Sequence, residues 1–310
     1  MVNNSIVTIG VASYNNSRFI TETLDSIKRQ TYPFIELIIV DDCSKDDSVA
    51  IIQQWIDKNE NTNVRLLVHN VNKGVCAVCN TILDAAKGEY VSIVGSDDIY
   101  MPNKVEVQVK LFKELPADYA IVHSDIYIID SEGNESASTQ MNSLEPGFVA
   151  AEGNVFNKLL EQNQISAPSV MLRTAAVREV GGYDESLNFE DWDMWLRLSQ
   201  KYKVKFSDYL SVKYRVLATS AWNTRGDAFY ITSIKILLKN LGVSAQSDAI
   251  IAKQVAAYAQ MLYSRGYKDA AKWFQTSFMK APKIKTALLL VMSKFGLPYS
   301  IYNKFAVYLK

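Results

Sequence analysis

Two apolar runs in this sequence each lead into a pair of adjacent carboxylates. The runs with their acids are Ile35–Val40 followed by Asp41 and Asp42, and Tyr90–Val94 followed, after Gly95 and Ser96, by Asp97 and Asp98. Both runs have the composition of buried strands, and ligands bind outside the carboxyl ends of the strands in a parallel α/β sheet. Four carboxylates gathered there repel one another unless a cation or hydrogen-bond donors compensate their charge. The pattern therefore predicts a site for a divalent cation and a polar ligand.

The elements that must position these acids alternate between strand and helix. Strands are predicted over residues 6–12, 35–40, 64–68 and 90–94, with helix-spaced apolar residues between them. This alternation predicts an α/β fold with a mostly parallel sheet covered by helices. After Asp98 the pattern loosens, a loop is predicted over 136–147, and only helical segments follow residue 225. The predicted domains are therefore 1–224, with halves 1–100 and 101–224, and a helical region over 225–310.

Charge and composition restrict the partners. Lys plus Arg and Asp plus Glu both number 33, so no global field draws the chain to nucleic acid. The N-terminus has no basic region before an apolar stretch, and no run reaches the roughly 18 apolar residues of a spanning helix. We therefore predict a cytoplasmic protein. Cys76 and Cys79 fall in a predicted helix without a second Cys or His pair, which favours packing over a zinc or redox site.

Seven short motifs stand in a fixed order between about residues 5 and 220. They are Val11-Ala12-Ser13-Tyr14-Asn15, Ile39-Val40-Asp41-Asp42-Cys43-Ser44, Asn72-Lys73-Gly74, Ala86-Lys87-Gly88-Glu89-Tyr90, Gly95-Ser96-Asp97-Asp98, Gly181-Gly182-Tyr183-Asp184 and Glu190-Asp191-Trp192. In this order, and at these strand ends, the set resembles glycosyltransferase family 2. These are inverting, sugar-nucleotide-dependent transferases with the GT-A fold. The resemblance covers the first 70% or so of the chain.

The resemblance implies a bound nucleoside diphosphate sugar and a divalent metal, Mn²⁺ or Mg²⁺. Asp98 would hold the ion, and Asp42 would accept the ring N–H of a uracil or thymine. The other residues implied to contact the nucleotide are Ala12, Ser13, Tyr14, Asn15, Asn72, Gly74 and Asp97. For Asp41 and Asp42 the alternative is a turn followed by a helix N-cap.

The acids before the predicted aromatic helix imply the acceptor side of the site. Asp191 would be the catalytic general base that takes the proton from the acceptor hydroxyl, with Glu190 and Asp193 as alternatives. Glu190 and Trp192 would contact the acceptor. Two ordinary explanations stay open, since carboxylates suit the first turn of a helix and Trp192 suits a core.

The sequence departs from the family pattern in three places. Gly95 stands where a first acid is common, so a metal site would rest on Asp97 and Asp98 alone. Cys79 stands where many relatives carry Arg, and Leu217 occupies a region where many carry His.

The last thirty residues form a basic, apolar segment. From Ala281 to Lys310 the sequence has five lysines and no acid, among aliphatic and aromatic residues. Such a segment can lie on an anionic membrane, here at the inner face. The alternative is a helical appendage that packs on the catalytic domain or on the second copy in a homodimer.

Together these features predict an enzyme that moves a sugar from a UDP- or dTDP-linked donor to a hydroxyl. The acceptor would be a glycan or lipid-linked glycan, in bacterial-type surface polysaccharide synthesis. The alternative is a catalytically idle relative that binds a sugar nucleotide or glycan. Neither G-x-G-x-x-G nor G-x-x-x-x-G-K-[ST] follows a predicted strand, which argues against a dehydrogenase or a P-loop phosphoryl transferase.

Overall fold

The computed structural model describes residues 5–59, 63–141, 149–217 and 226–305. The strands are β1 (Val7–Ser13), β2 (Ile35–Asp41), β3 (Val64–Val68), β4 (Tyr90–Gly95), β5 (Ile99–Tyr100), β6 (Tyr119–Ser124), β7 (Tyr127–Ile129), β8 (Glu135–Thr139), β9 (Met171–Arg173), β10 (Lys203–Ser207) and β11 (Val212–Arg215). The helices are α1 (Ile20–Lys28), α2 (Ser48–Asp57), α3 (Val75–Ala85), α4 (Lys104–Glu114), α5 (Phe156–Glu161), α6 (Thr174–Glu179), α7 (Asp191–Ser199), α8 (Asp227–Lys239), α9 (Ala245–Ser264), α10 (Ala270–Lys280), α11 (Ile284–Lys294) and α12 (Tyr299–Phe305).

The chain divides into two compact units. The sheet unit consists of Met1–Val155 and Gln164–Ser220, and the helical unit of Phe156–Asn163 and Ala221–Lys310. The sequence predicts residues 156–163 within the first domain, but in the structure they belong with the C-terminal helices. The boundary predicted at 224/225 lies outside the described residues.

The predicted α/β fold with a mostly parallel sheet is confirmed. Within the described residues seven strands form one sheet in the order β10-β6-β9-β4-β1-β2-β3. Strand β1 runs parallel to both β2 and β4, β2 runs parallel to β3, and β10 runs parallel to β6. The short β9 is antiparallel to both of its neighbours. The carboxyl ends of β4, β1 and β2 therefore lie side by side at one edge.

The apolar runs of the sequence become the interior of this unit. Ile9 in β1 and Ile39 in β2 are fully buried and share one cluster with side chains of the covering helices α1 and α2. Helix α3 approaches β1 closely, since a Cβ on Gly10 would lie 2.5 Å from the Ile82 side chain. Cys76 and Cys79 are buried free thiols in α3, as the packing interpretation predicts.

A second sheet brings β11 to the end of β4. Its order is β5-β11-β7-β8, and β11 pairs antiparallel with β5 directly after Asp98. The loop predicted over 136–147 is wrong in part, because 135–139 form strand β8 on β7. Every residue of β8 up to Ser138 is exposed, so no apolar alternation marks this edge strand in the sequence.

The helical unit contains α5 and α8 to α12. Ser244 caps α9 by accepting the N–H of Ser247, and the Ser247 hydroxyl donates to Asn157 at 2.9 Å. Gln254 donates to the Glu161 carbonyl at 2.6 Å, so α5 is tied to α9 at two points. The predicted helical C-terminal region is thus confirmed over the residues that the structure describes. None of the helices described is long and apolar enough to cross a membrane.

Candidate active site

The Asp97-Asp98 pair lies in the short connection between β4 and β5. The Ser96 N–H donates to the Ala12 carbonyl at 3.1 Å, which holds this connection against the end of β1. Asp98 is only 3% exposed, and its Oδ1 accepts the N–H of Arg215 at 2.9 Å. Burial and the neighbouring charge of Asp97 raise the pKa of Asp98 well above its usual range. A cation placed here would offset that cost.

The carboxylates of Asp97 and Asp98 both lie close to the position that a Cβ on Gly95 would occupy. A Cβ on Gly95 would lie 2.8 Å from Asp97 Oδ1 and 3.5 Å from Asp98 Oδ2. The described residues contain no group of three or more His, Cys, Asp or Glu side chains that could hold a metal. One or two carboxylates completed by substrate phosphates and water are nevertheless the usual protein ligands of Mg²⁺. Asp97 and Asp98 therefore fit a divalent ion that is held together with a diphosphate.

Arg215 fixes the position of this pair. Its side chain is 2% exposed, its Nε donates to the Asp97 carbonyl at 2.9 Å, and its guanidinium forms an ion pair with Glu22 of α1. The guanidinium also donates to the Asp130 carbonyl at 3.0 Å and lies 4.6 Å from the centre of the Phe19 ring. One buried cation thus joins β11, the Asp97-Asp98 connection, α1 and the turn after β7.

The first pair of acids has two different environments. Asp41 is fully buried and accepts hydrogen bonds from the Ser13 and Ser44 hydroxyls at 2.9 and 2.6 Å. It also accepts the Ser44 N–H at 2.8 Å. Asp41 therefore holds the loop after β2 against the end of β1, in line with the turn alternative.

Asp42 is 3% exposed, and its carboxylate accepts three hydrogen bonds. Its Oδ1 accepts from His69 Nδ1 at 2.7 Å and from the Lys73 N–H at 2.9 Å, and its Oδ2 accepts the Gly74 N–H at 2.8 Å. A carboxylate has about four lone-pair positions, so one remains on Oδ2. A base N–H would have to use that position. The Asn72 side chain donates to the Asp42 carbonyl at 3.3 Å and lies beside it.

The remaining predicted nucleotide residues follow β1. Ala12 pairs with Val40 and with Gly95 across the sheet, while Ser13 is buried on Asp41. Tyr14 is 46% exposed, so its ring is available for stacking. Asn15 takes a positive φ of 51°, and its side chain accepts the Lys45 N–H at 2.7 Å.

The acids of the predicted acceptor side lie at the start of α7. Asp191 Oδ1 accepts the N–H of Trp192 at 2.6 Å, a first-turn position that suits a carboxylate. Burial and the charge of Asp191 raise the pKa of Glu190 to about 7. Asp193 is 1% exposed and paired with Arg197 at 2.7 Å, which argues against its use as a base. Trp192 is 4% exposed, which favours its core alternative.

The Tyr214 hydroxyl of β11 is affected by two acidic pairs, Asp97-Asp98 and Glu190-Asp191. Burial raises the pKa of its hydroxyl, and four carboxylates raise it further. The four, in order of their effect, are Asp98, Asp97, Asp191 and Glu190. Acids that are 93 residues apart in sequence, Asp98 and Asp191, thus act on one phenol.

Sequence reasoning missed three of these residues. His69 and Arg215 donate hydrogen bonds to the predicted acids, and two acidic pairs raise the pKa of Tyr214, but none of the three belongs to a motif of charged residues. Strand Val212–Arg215 has two cations, Lys213 and Arg215, and no signal in the sequence distinguished the buried one, which needs partners. No signal distinguished His69 from a surface histidine after a strand.

The family described as Glycosyl transferase family 2 has a model that matches residues 8–178. Uncharacterized glycosyltransferase RP339 of Rickettsia prowazekii is 27% identical over 222 residues, covering 71% of this chain and 66% of that protein. WfgD of Escherichia coli, described as UDP-Glc:alpha-D-GlcNAc-diphosphoundecaprenol beta-1,3-glucosyltransferase, is 26% identical over 236 residues, covering 72% of this chain and 86% of that protein. Matches to other Rickettsia glycosyltransferases span as little as 34% of their length.

Two solved structures share the fold. TarS 1-349 of Staphylococcus aureus in complex with UDP-GlcNAc superposes with a TM-score of 0.69 at 19% identity, covering 94% of this chain and 88% of that chain. Mannosyltransferase PcManGT from Pyrobaculum calidifontis in complex with GDP-Man and Mn²⁺ gives a TM-score of 0.61 at 16% identity, covering 98% and 88%.

Proposed function

This chain belongs to glycosyl transferase family 2 and has a GT-A-like fold, and we propose that it transfers a sugar to a hydroxyl with inversion at the anomeric carbon. The donor in this proposal is a UDP- or dTDP-linked sugar, and the acceptor is a glycan or lipid-linked glycan. Relatives support the choice of donor, since WfgD is described with UDP-Glc and TarS was solved with UDP-GlcNAc.

The observation that carries the proposal is that two acidic pairs, Asp97-Asp98 and Glu190-Asp191, both act on the Tyr214 hydroxyl. The strand-end pair, Asp97 and Asp98, suits a cation and a diphosphate, while the α7 pair suits a proton acceptor. The charges of both pairs raise the pKa of the Tyr214 hydroxyl, and the neighbouring Arg215 N–H donates to Asp98, which supports one site for the two functions. A displacement at the anomeric carbon needs these two functions on opposite sides of the reacting atom.

In the proposed reaction Asp191 accepts the proton of the acceptor hydroxyl while its oxygen attacks the anomeric carbon. The bond from that carbon to the diphosphate oxygen breaks in the same step, so the configuration inverts. Mn²⁺ or Mg²⁺ held by Asp97 and Asp98 would neutralise the charge on the leaving diphosphate. Burial and the charge of Asp191 raise the pKa of Glu190 to about 7, and in its protonated form Glu190 would donate a hydrogen bond to the acceptor beside the base.

At the other end of the site, Tyr14, Asn15 and Asn72 are proposed to line the pyrimidine. The free lone pair of Asp42 Oδ2 would accept the ring N–H. A carboxylate acceptor disfavours cytosine, whose ring N3 carries no proton, and this supports uracil or thymine.

Substitution of Asp191 by Asn tests the proposal. The amide is nearly isosteric but cannot take the proton, so transfer should slow by roughly 10²- to 10⁴-fold while UDP binding is kept. Exposed Asp208, changed to Asn in the same unit, is the control and should leave turnover unchanged. Full turnover in Asp191→Asn would overturn the assignment of the base.

Thermal-shift measurements with UDP, dTDP, GDP and CMP would identify the nucleotide that the protein binds. Nucleotide binding without turnover of any donor would favour the alternative of a catalytically idle relative.

We also propose that the protein works in surface polysaccharide synthesis at the cytoplasmic face of a membrane, through residues 281–310. The last five of these residues lie outside the described part of the chain. The support is the run of lysines without an acid, together with WfgD, whose described acceptor is a diphosphoundecaprenol. The alternative is that residues 281–310 form the contact between two copies of the chain in a homodimer.

A further inference from the structure

Helix α11 carries apolar side chains on two separate faces. Its inner face is buried through Thr286, Leu289 and Met292. The outer set is Ile284, Leu288, Val291 and Phe295, and three of them are exposed, at 81% for Ile284, 50% for Val291 and 77% for Phe295. At about 100° per residue these four positions fall within an arc of about 60°. We call this set the α11 stripe. An apolar face of this kind on a surface helix requires a partner.

Lysines border the α11 stripe on both sides. Lys285 lies at about +100° and Lys294 at about −80° from Ile284 around the helix, and Lys283 precedes the first turn. All three are exposed. Lys272 and Lys280 pair with Asp269 and Asp248, but from residue 281 to the end the sequence has five lysines and no acid. Long lysine side chains beside an apolar stripe can place their ammonium groups at a lipid headgroup layer.

A cavity of 730 Å³ adjoins the end of the stripe. Its lining includes Lys294 and Gly296, which flank Phe295 in the sequence. The other lining residues that matter here are Lys268, Tyr263, Tyr267 and Tyr299. Its lining contains no carboxylate. The Tyr263 hydroxyl already donates to the Leu297 carbonyl, whereas the lysine ammonium groups and the hydroxyls of Tyr267 and Tyr299 can donate to phosphate oxygens. The positive side of this surface therefore extends past the helix into a recess with room for a headgroup.

Two candidates could cover the stripe, an anionic bilayer or a second copy of the chain. A stable dimer needs about 800 Å² from each partner, which is more than four side chains supply. Across a twofold axis the bordering lysines would also face their own copies, and lysine is depleted in the cores of interfaces. We infer that the α11 stripe inserts into the interface of an anionic membrane, with Lys285 and Lys294 at the headgroups. This inference rests on the membrane contact in the proposed function and not on the transfer reaction.

Co-sedimentation of the full chain with vesicles tests the inference. Binding is expected to phosphatidylcholine vesicles that contain phosphatidylglycerol, and not to phosphatidylcholine alone, and it weakens as salt is raised. The double change Val291→Ser with Phe295→Ser should weaken binding at least tenfold. Val243→Ser is the matched control, since Val243 is 49% exposed and lies outside the stripe. It should leave binding unchanged.

Charge reversal gives a second arm. Lys285→Glu should weaken binding roughly 30-fold, whereas Lys253→Glu, an exposed lysine of α9, makes the same change in net charge away from the stripe. Equal losses in these two variants, or full binding by the serine double variant, would overturn the inference. The inference would also be overturned if the full chain did not bind the vesicles and instead formed a dimer that was lost in the serine double variant. The thermal shift with UDP is measured in every variant, because its loss would point to the donor site and not to the stripe.

Discussion

Replacement of Arg215 by methionine should destabilise the sheet unit strongly. The guanidinium is 2% exposed and donates to the Asp97 carbonyl, which loses this donor in the variant, whereas the Asp130 carbonyl keeps the Gly133 N–H. The variant also loses the ion pair with Glu22 and the contact with the Phe19 ring. Methionine keeps only the apolar part of the packing.

The magnitude follows from these contacts. The Asp97 carbonyl left without this donor costs about 1–3 kcal/mol, and the lost contact of the cation with the ring adds about 1 kcal/mol. The ion pair adds about 1 kcal/mol or less, because Glu22 is 50% exposed and screened by solvent. After allowance for the apolar burial that methionine retains, the expected loss in the free energy of unfolding is about 2–4 kcal/mol.

Urea denaturation of three variants measures this loss. Arg215→Lys keeps the charge and should recover part of it, because an ammonium cannot reach all of the acceptors of a guanidinium fork. Arg18→Met is the matched control. Arg18 also lies over the Phe19 ring, but it is 58% exposed and pairs with exposed Glu132, so its loss should cost less than about 1 kcal/mol. An Arg215→Met variant as stable as Arg18→Met would refute the reasoning.

Two further predictions concern the acids themselves. Gly95→Ala should leave the melting temperature nearly unchanged but weaken Mn²⁺-dependent UDP binding, measured by calorimetry, because the new Cβ displaces the Asp97 carboxylate from 2.8 Å. Glu190→Gln should flatten the pH dependence of stability. The raised pKa of Glu190, about 7, means that its protonated form stabilises the fold at low pH and that this is lost as pH rises from 4.5 through 7. The variant should therefore gain about 1–3 kcal/mol on the parent between pH 5 and pH 8 in melting scans.

Local patterns were enough to predict the sheet and the strand-end acids. The runs before Asp42 and Asp98 are largely apolar on both faces of the strand. This pattern is typical of strands in a parallel sheet that is covered on both sides. The same rule failed for β8, which is polar on both faces and forms only through pairing with β7.

The partners of the acids could not be predicted, because they come from distant parts of the chain. Arg215 reaches Asp98 across 117 residues, and the donors to Asp42 come from a loop about 30 residues later. Lys104 shows the same limit. It is fully buried in α4, donates to Ser92 and Gln108, and lies 4.5 Å from the centre of the Tyr100 ring, so burial lowers its pKa. Charged residues of this kind are normally assigned to the surface.

The assignment of residues 156–163 failed for a related reason. Their helical pattern is correct, but which unit a short helix joins depends on its hydrogen bonds. Asn157 and Glu161 accept theirs from α9, which lies some 90 residues later in the chain.

The measurement that tests the account most directly is calorimetric titration with UDP, with and without Mn²⁺, of the parent protein and of Asp98→Ala. The parent should bind UDP at least tenfold more tightly with Mn²⁺, because the ion links the diphosphate to Asp97 and Asp98. Asp98→Ala should show no such dependence. Its melting temperature without metal should stay close to that of the parent, because removing a costly buried charge offsets the loss of the acceptor of the Arg215 N–H. Equal Mn²⁺-dependent affinity in the two proteins would contradict the proposed site.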